Sequence, residues 1–324
     1  MNVKHLVPGR IKRWLNAGMG RRVRPNSRKR PPSQLWSIGI YEGTSLEDLR
    51  PAEEAKNPVI QAEDVSDIPA RYVADPFMIQ WAGTWYMFFE VKNSKRKLGE
   101  IGLATSGDGY RWRYDRIVLA EPFHLSYPYV FEWEGHHYMI PETHQTRTVR
   151  LYRSSSFPFG WDFMETLMSG PTFQDSSVFW HQDRWWMFSD TSPEIQFDTL
   201  RLYHADALLG PWSEHAESPI IRHDPRTARP GGRIVRLGGR LLRFAQDCHP
   251  EYGSKVRAFE ITELSRDRYR EMEDPGGFEL GGSGRGWNRA GMHHIDVSEG
   301  PNGTLIAAVD GWRDPAPDGG VRPA

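Results

Sequence analysis

Short apolar runs separated by turns recur five times along this chain at nearly the same spacing. In the first copy, the apolar run 75–79 leads into the turn Ala82-Gly83, and a second run, 85–90, ends in an acid. Two apolar runs joined by a tight polar turn are typical of a β-hairpin. The copies begin at residues 75, 127, 175, 232 and 294. A hairpin repeated roughly every 50 to 60 residues predicts an all-β fold, a five-bladed β-propeller.

The runs that follow each hairpin predict four antiparallel strands per blade, with the last blade as an exception. Trp112, Trp161 and Trp212 recur in the predicted fourth strand of three blades. Only fourteen residues follow Asp310, and they are rich in Pro and Gly, so the fifth hairpin lacks two strands. Because an unpaired blade edge is unfavourable, we expect the upstream run 35–41 to complete the last blade and close the ring.

Charge is unevenly distributed along the 324 residues, although the net charge is only −1. Residues 1–34 hold ten Lys or Arg and no acid, so the remainder is clearly acidic. We predict a basic, disordered arm at 1–34, one propeller domain at 35–312 and a flexible tail at 313–324. The arm could also contact an anionic membrane surface. Nothing in the pattern indicates a nucleic-acid partner.

The chain has one cysteine, Cys248, and therefore no internal disulfide framework. It has no apolar run long enough for a transmembrane helix, and the basic N-terminus lacks the apolar core of a signal peptide. A reducing compartment fits this cysteine usage. We expect a cytoplasmic protein, with a peripheral membrane position as the alternative.

Each predicted hairpin is symmetric about its turn, so the acid that ends the second strand should lie across from the residue that begins the first. One rim of the propeller would then collect a polar group from every blade, including His294 and Asp310 from the fifth. The predicted pairs are Asp75 with Glu90, Tyr127 with Glu142, Asp175 with Asp190, and Gly232 with Asp247.

A rim of converging carboxylates suits glycosidic bond chemistry, which requires two carboxylates flanking one bond. Asp75 and Asp175 begin inner strands of blades one and three, so we expect them to face each other. The structural alternative is that strand-end acids cap the next loop, an explanation that we favour for Glu90, Asp190 and Asp310.

Loops entering the inner strands supply further candidates for ligand contact. The predicted substrate-binding residues are His124, Tyr127, Arg233, Asp247, Trp287, His293 and His294. Arg229, Arg233 and Arg236 could pair with the acids or bind an anionic substituent. His294 and Asp296 could point inward together, but two ligands are too few for a transition metal. We therefore expect no metal cofactor, with a structural cation in the central tunnel as the alternative. Trp85, Trp185 and Trp186 sit at positions typical of the core.

Several ordered strings resemble the N-terminal propeller domain of plant glucosamine inositolphosphorylceramide transferases and its stand-alone bacterial relatives, over residues 36–312. The strings are Trp36–Gly43, Ala74–Phe77, Phe123–Phe131, Tyr138–Glu142, Leu151–Arg153, Gly210–Trp212, Gly231–Arg233, Gln246–Cys248 with Tyr252–Gly253, and His293–Asp296. More distantly, the chain resembles five-bladed glycosidases such as arabinanases, β-xylosidases, invertases and levansucrases. That resemblance implies Asp75 as base or nucleophile and Asp175 as the residue that orients substrate and tunes the pKa.

Two departures limit what the resemblance implies. In the plant proteins, glucosamine transfer is attributed to a separate C-terminal domain, so we do not expect transferase activity here. The propeller glycosidases place a general acid, a Glu, in a later blade, but blade four here begins with Arg229 and carries no Glu there. Glu142, or else Glu251, must then replace it.

Our leading hypothesis is a glycoside hydrolase-like enzyme acting on a glycan or a glycolipid head group. It uses Asp75 as base or nucleophile, Asp175 as modulator and Glu142 as acid. The alternative is a non-catalytic glycan-binding propeller that serves polysaccharide or glycolipid assembly, and a third hypothesis is a protein-interaction propeller.

Overall fold

A computed structural model describes residues 34–193, 196–300 and 303–315. These residues form 22 β-strands in five antiparallel sheets, with three single-turn 3-10 helices at Ala62–Asp64, His144–Thr146 and Gly286–Asn288. No helix in this part of the chain is long and apolar enough to cross a bilayer. The predicted arm falls outside the described residues except for Gln34, and so does the tail beyond residue 315.

Each sheet is one blade of the predicted propeller, which confirms the five-bladed all-β fold. Blade 1 contains β3 (Ala70–Trp81), β4 (Thr84–Asn93), β5 (Gly99–Ser106) and β6 (Arg113–Leu119). Blade 2 contains β7 (Ser126–Trp133), β8 (His136–Glu142), β9 (Thr148–Ser156) and β10 (Phe159–Ser169). Blade 3 contains β11 (Gln174–Trp180), β12 (Trp185–Asp190), β13 (Leu200–Ala205) and β14 (Ser213–Glu214).

Blade 4 is broken into more pieces than the others, and blade 5 joins the two ends of the propeller. Blade 4 contains β15 (Arg229–Pro230), β16 (Val235–Leu237), β17 (Arg240–Asp247), β18 (Lys255–Leu264), β19 (Tyr269–Glu273) and β20 (Glu279–Gly281). Blade 5 contains β21 (Ile295–Glu299), β22 (Leu305–Arg313), β1 (Leu35–Gly43) and β2 (Arg50–Pro51), in that order across the sheet.

Strand β1 closes the ring, as the sequence predicts. It pairs antiparallel with β22 along its whole length, from Leu35 opposite Arg313 to Gly43 opposite Leu305. Ile38 and Ile40 of β1 are completely buried. Burial of an aliphatic side chain of this size contributes about 1.5–3 kcal/mol, so the upstream segment is part of the core of blade 5.

The core lies largely between neighbouring blades. Phe77 and Phe88 of blade 1 belong to one buried cluster with Val130 of blade 2 and Met187 of blade 3. Trp85, Trp185 and Trp186 are only 4%, 3% and 2% exposed, which confirms that these three tryptophans are packing residues.

The recurring tryptophans of the outer strands hold the turns that precede those strands. The Trp112 indole donates to the Gly109 carbonyl, that of Trp161 to Pro158, and that of Trp212 to Leu208. Of the three, only Trp161 lies inside a fourth strand; β6 and β14 begin one residue later than expected. The repeated residue therefore records a shared turn rather than a shared strand.

The predicted hairpin register is wrong by one residue in blades 1, 2 and 3, because each inner strand contains a β-bulge. Glu90 lies opposite Ala74, Glu142 opposite Ser126, and Asp190 opposite Gln174. Two residues of the inner strand then face one residue of the partner, the arrangement of a bulge. In blade 4, the predicted partner of Gly232 is also wrong, since Arg229 lies opposite Gln246 and Pro230 opposite Ala245, a register that does not place Gly232 opposite Asp247.

Candidate functional site

The bulges set the direction of three side chains at the start of the inner strands. Asp75, Tyr127 and Asp175 are the first bulge residues of blades 1, 2 and 3, with φ values of 54°, 45° and 48°. A residue other than glycine at positive φ is uncommon and costs about 1–3 kcal/mol. All three side chains are buried, with exposed fractions of 5%, 0% and 2%. Exposed residues of the hairpin turns share the positive φ, among them Ala82, Glu134 and Gln182. The combination of this geometry with burial therefore marks the end with Asp75, Tyr127 and Asp175 as the candidate site.

Carboxylates at this end join each blade to the next. Asp310 Oδ2 accepts the backbone N–H of Asp75 at 3.0 Å, and Asp75 Oδ2 accepts that of Tyr127 at 3.2 Å. Glu142 Oε2 accepts the backbone N–H of Asp175 at 3.1 Å. The bulge would otherwise leave these N–H groups buried without a partner, which is unfavourable. Asp310, Asp75 and Glu142 thus have an architectural role, which for Asp310 is a bond between blades in place of the loop capping that the sequence suggests.

Arg229 of β15, in blade 4, crosses the site and binds Asp175 of blade 3 and Glu142 of blade 2. Its Nε lies 2.5 Å from Asp175 Oδ2, and its Nη2 lies 3.3 Å from Glu142 Oε2. Nη1 donates to Gln174 Oε1 at 2.8 Å, and Gln246 Nε2 donates to Asp175 Oδ2 at 2.6 Å. Although burial lowers it, the charges of the surrounding acids raise the pKa of Arg229 well above its usual value. The guanidinium is therefore a permanent buried cation held between two carboxylates.

The protonation states of the acids differ from what the sequence suggests. Burial, followed by the charges of Asp175 and Asp310, raises the pKa of Asp75 well above its usual value. Burial also raises the pKa of Glu90 to about 7, although Lys92 opposes the shift. Burial raises that of Glu142 too, but the hydrogen bond with His144 and the charge of Arg229 outweigh it and hold the pKa of Glu142 well below its usual value. Glu142 is thus an ionised carboxylate, whereas the raised pKa values of Glu90 and Asp75 favour their protonated forms near neutral pH.

The sequence interpretation missed this property of Glu90, which was assigned to loop capping. Its carboxylate faces the Tyr72 hydroxyl at 3.4 Å and His124 Nε2 at 3.5 Å. The only signal in the sequence is its position at the end of a hairpin, which Asp190 shares. Asp190 Oδ1 accepts the N–H of Ser192 at 2.7 Å, as expected for an acid that caps a loop.

Blade 5 contributes a histidine and an acid that contact blade 1. Asp310 Oδ1 accepts from His293 Nδ1 at 2.8 Å, and His293 Nε2 lies 3.9 Å from Asp75 Oδ1. One ligand atom each from Asp75, His293 and Asp310 lie within 4.8 Å of one another, a spacing that a bound cation could bridge. His294 is completely buried beside them, and burial lowers its pKa to about 3, so its imidazole is neutral.

The sequence suggests that His294 and Asp296 could point inward together toward a cation. In the structure, Asp296 instead forms an ion pair with Arg233. Asp296 Oδ1 accepts from Arg233 Nε at 2.9 Å, and its Oδ2 accepts the N–H of Met78 at 2.6 Å. Arg233 also donates to the Val130 carbonyl at 2.9 Å. Arg233 and Asp296 are therefore a cross-brace between blades 1, 2, 4 and 5.

The other predicted ligand-binding residues occupy varied positions. The Tyr127 hydroxyl lies 2.8 Å from Ser177 Oγ and accepts the N–H of Gly232 at 2.8 Å. Asp247 pairs with Arg257 Nε at 3.0 Å. Trp287 fills a slot over Gly39, where a Cβ would lie 2.5 Å from its ring. The structure gives Tyr127, Asp247 and Trp287 structural contacts, and it brings His124 and His293 to the acids.

The buried acids Asp75, Glu90, Glu142, Asp175 and Asp310 form what we call the acid cluster, and aromatic residues cover it. The Trp36 ring stacks on His293 with centroids 4.0 Å apart, and Tyr252 meets the same imidazole edge-on at 5.1 Å. The Arg229 guanidinium lies 4.7 Å from the Phe197 ring and 5.5 Å from the Tyr252 ring. The site therefore combines buried carboxylates, one cation and aromatic faces, which are the groups that contact hydroxyls and apolar faces of sugars.

The sequence matches a known family over nearly the whole propeller. The family described as "Glucosamine inositolphosphorylceramide transferase 1, N-terminal" matches residues 30–312. The transferase of that name from Oryza sativa subsp. japonica is 37% identical over 303 residues, which cover 87% of this chain and 41% of the rice protein. The Arabidopsis thaliana protein is 34% identical over 298 residues, covering 86% of this chain and 39% of that protein. The chain thus spans about two fifths of the length of these plant relatives.

Solved structures with the same fold are glycoside hydrolases of low sequence identity. A putative glycosidase from Bacteroides thetaiotaomicron superimposes with a TM-score of 0.60 at 12% identity, covering 82% of this chain and 97% of that one. A thermostable family-43 glycoside hydrolase gives a TM-score of 0.57 at 12% identity, covering 80% and 91%. At such identities the likeness shows the fold alone. The match in sequence is what places the chain: it belongs to the family of the N-terminal domain of glucosamine inositolphosphorylceramide transferase 1.

Proposed function

We propose that the propeller is a recognition domain that binds the sugar portion of a glycan or glycolipid head group at the acid cluster. The observation that carries this proposal is the position of Arg229 between Asp175 and Glu142. The names of the plant relatives suggest a ligand class, an inositol phosphate head group bearing an amino sugar.

Arg229 favours binding over hydrolysis for a physical reason. Hydrolysis requires one protonated and one ionised carboxylate on opposite sides of the scissile bond. Glu142 and Asp175 instead share one guanidinium, and Glu142 also accepts the backbone N–H of Asp175. A substrate cannot sit between two groups joined in this way. A fixed array of alternating acceptors and donors is, however, well suited to pairs of sugar hydroxyls.

A second candidate, glycoside hydrolysis, is favoured by Glu90. Its pKa of about 7 is the property of a general acid. Asp75 is close enough for the charge of Glu90 to raise the Asp75 pKa. In this alternative, Asp75 and Glu90 replace the catalytic set of Asp75, Asp175 and Glu142 that the sequence suggests.

One experiment distinguishes the two functions. The wild type, Asp75→Asn and Glu90→Gln would be tested for binding to a glycan array that includes myo-inositol 1-phosphate and glucosamine conjugates, and for turnover of p-nitrophenyl glycosides. Asn tolerates the left-handed backbone at position 75, and Asp267→Asn is an exposed-acid control. A recognition domain binds a glycan and turns over none, with binding weakened by Asp75→Asn and unchanged by the control.

Turnover by the wild type that both Asp75→Asn and Glu90→Gln abolish, with binding retained, would instead establish the hydrolase. Absence of binding to every glycan would contradict both functions.

A further inference from the structure

Three tryptophans occupy the same position in three consecutive blades, at the end of the tunnel opposite the acid cluster. The inner strands β3, β7 and β11 end in Trp81, Trp133 and Trp180. The acids lie at the start of these strands, so the tryptophans lie at the other face, beside the hairpin turns. The inner strands of blades 4 and 5 end in Leu237 and Glu299. We call Trp81, Trp133 and Trp180 the aromatic arc.

Two rings of the arc are exposed to solvent, and all three pack against other aromatic side chains. Trp81 and Trp180 are 42% and 39% exposed, which is unusual for so large an apolar side chain. The rings of Trp133 and Trp180 lie 4.9 Å apart, and that of Trp133 lies 4.8 Å from the buried Trp185. Trp81 packs edge-on against Phe157 at 5.5 Å. The exposed faces are thus fixed in place before any ligand arrives, which lowers the entropic cost of binding.

The indole N–H groups of the arc have no acceptor within the described part of the protein. Six other indoles do donate to the protein, those of Trp36, Trp112, Trp161, Trp186, Trp212 and Trp312. The packing residues Trp85 and Trp185 share the lack of an acceptor but are only 4% and 3% exposed. What distinguishes Trp81 and Trp180 is that the indole without an acceptor belongs to an exposed side chain, which can donate to a ligand.

A polar cleft adjoins one end of the arc. It has a volume of about 340 Å³ and begins at His181, the residue after Trp180. Its other polar lining residues are Gln182, Arg236, Arg240, Glu260 and Thr262.

The two arginines of this cleft differ in charge balance. Arg240 is neutralised by Glu260 at 2.7 Å and by Asp274. Arg236 donates to the Gly239 carbonyl at 3.3 Å and lies 3.0 Å from His181 Nδ1. Within the described chain Arg236 has no carboxylate partner. It is therefore an exposed cation without a carboxylate partner, in contact with His181, the neighbour of Trp180 in the chain.

We propose that this face is a second carbohydrate-binding surface, specific for an acidic glycan. Sugar rings stack on Trp180 and Trp81 through their apolar C–H faces, the free indole N–H groups donate to hydroxyls, and Arg236 binds a carboxylate of the glycan. A membrane surface fits less well, because a plane of anionic lipid head groups would meet Glu132, Glu134 and Asp183 on these turns all at once, whereas a glycan chain can place a single carboxylate at Arg236.

The test uses the intact protein, hexagalacturonate as the acidic probe and cellohexaose as the neutral one, with affinity followed by calorimetry and tryptophan fluorescence. The variants are Trp81→Ala/Trp180→Ala and Arg236→Gln. The matched control is Phe163→Ala/Met272→Ala, which removes side chains that are each 49% exposed on outer strands. Because all substituted side chains are at the surface, unchanged circular dichroism is expected in every variant.

We expect hexagalacturonate to bind more tightly than cellohexaose. The double tryptophan variant should weaken it roughly tenfold or more, Arg236→Gln should remove the preference for the acidic probe, and the control should change neither. Asp75→Asn changes the acid cluster and should leave hexagalacturonate binding at the arc intact. A negative result at the arc is therefore distinct from a negative result for the proposed function of the acid cluster. Hexagalacturonate binding that survives the tryptophan variant, or does not exceed cellohexaose binding, would overturn the proposal. Binding to vesicles of phosphatidylcholine and phosphatidylglycerol, without binding to either glycan, would also overturn it.

Discussion

Replacing Arg229 by methionine removes the cation of the acid cluster while keeping a long side chain. The Arg229, Asp175 and Glu142 side chains are 7%, 2% and 5% exposed. Removing one partner of a buried ion pair costs about 3–5 kcal/mol, because the remaining charge is left without compensation. In a chain of this size, that loss corresponds to a fall of roughly 5 to 8 °C in the unfolding midpoint.

The assay is thermal unfolding at several pH values, with Arg226→Met as the control. Arg226 also pairs with an acid, Asp224, but its side chain is 58% exposed. A surface pair of this kind contributes about 0–1 kcal/mol, so the control should unfold near the wild type. Adding Asp175→Asn and Glu142→Gln to Arg229→Met should restore much of the lost stability, since no buried charge then remains.

The sign of the pH dependence follows from the same reasoning. Burial already raises the pKa of Asp175 although Arg229 opposes the shift, and the hydrogen bond with His144 and the charge of Arg229 hold the pKa of Glu142 low. Without Arg229, both folded-state pKa values rise, that of Asp175 further above its unfolded value. Stability is then fully present below the unfolded pKa and is lost as pH rises through the folded one. The deficit of Arg229→Met should therefore be smaller at pH 5 than at pH 8. An Arg229→Met protein that unfolds with the Arg226→Met control at every pH would refute the view of Arg229 as the counter-charge of the cluster.

Two further predictions concern ring closure and the pH profile of the wild type. Ile40→Ala in strand β1 should lower the free energy of unfolding in urea by about 2–5 kcal/mol, whereas Met272→Ala at an exposed site should stay within about 0.5 kcal/mol; equal midpoints would contradict closure by β1. Because burial raises the pKa of Glu90 to about 7, its contribution to stability is present at acidic pH and lost as pH rises through 7. Glu90→Gln should therefore flatten the decline of the unfolding midpoint between pH 5 and pH 8, and an unchanged slope would argue against a protonated Glu90.

The blades and their closure could be predicted because they depend on apolar runs and turns, which local sequence records. The runs at 75–79 and 85–90 are buried on both faces along almost their whole length, as continuous apolar runs predict, and the run at 35–41 had no other edge to pair with. The register could not be predicted in the same way. A left-handed residue at Asp75 or Tyr127 carries no local signal, and only Pro76 and Pro128, which cannot donate to the ladder, hint at a bulge.

The site was harder to predict than the fold because its properties arise from long-range contacts. Arg229 was recognised as a partner for acids, but its choice of Asp175 and Glu142 depends on three blades meeting. The roles of Glu142 and Glu90 depend on which of them lies beside a cation. Each of them ends the second apolar run of a predicted hairpin, so the sequence could not show which of the two holds a proton.

The inter-blade bonds made by Asp310, Asp75 and Glu142 have a consequence for how such domains are interpreted. These carboxylates fasten adjacent blades together whether or not any sugar is cleaved. The propeller would need them for its assembly even if it cleaved no substrate. An aspartate at this mouth is therefore evidence of sound assembly, and turnover has to be demonstrated separately.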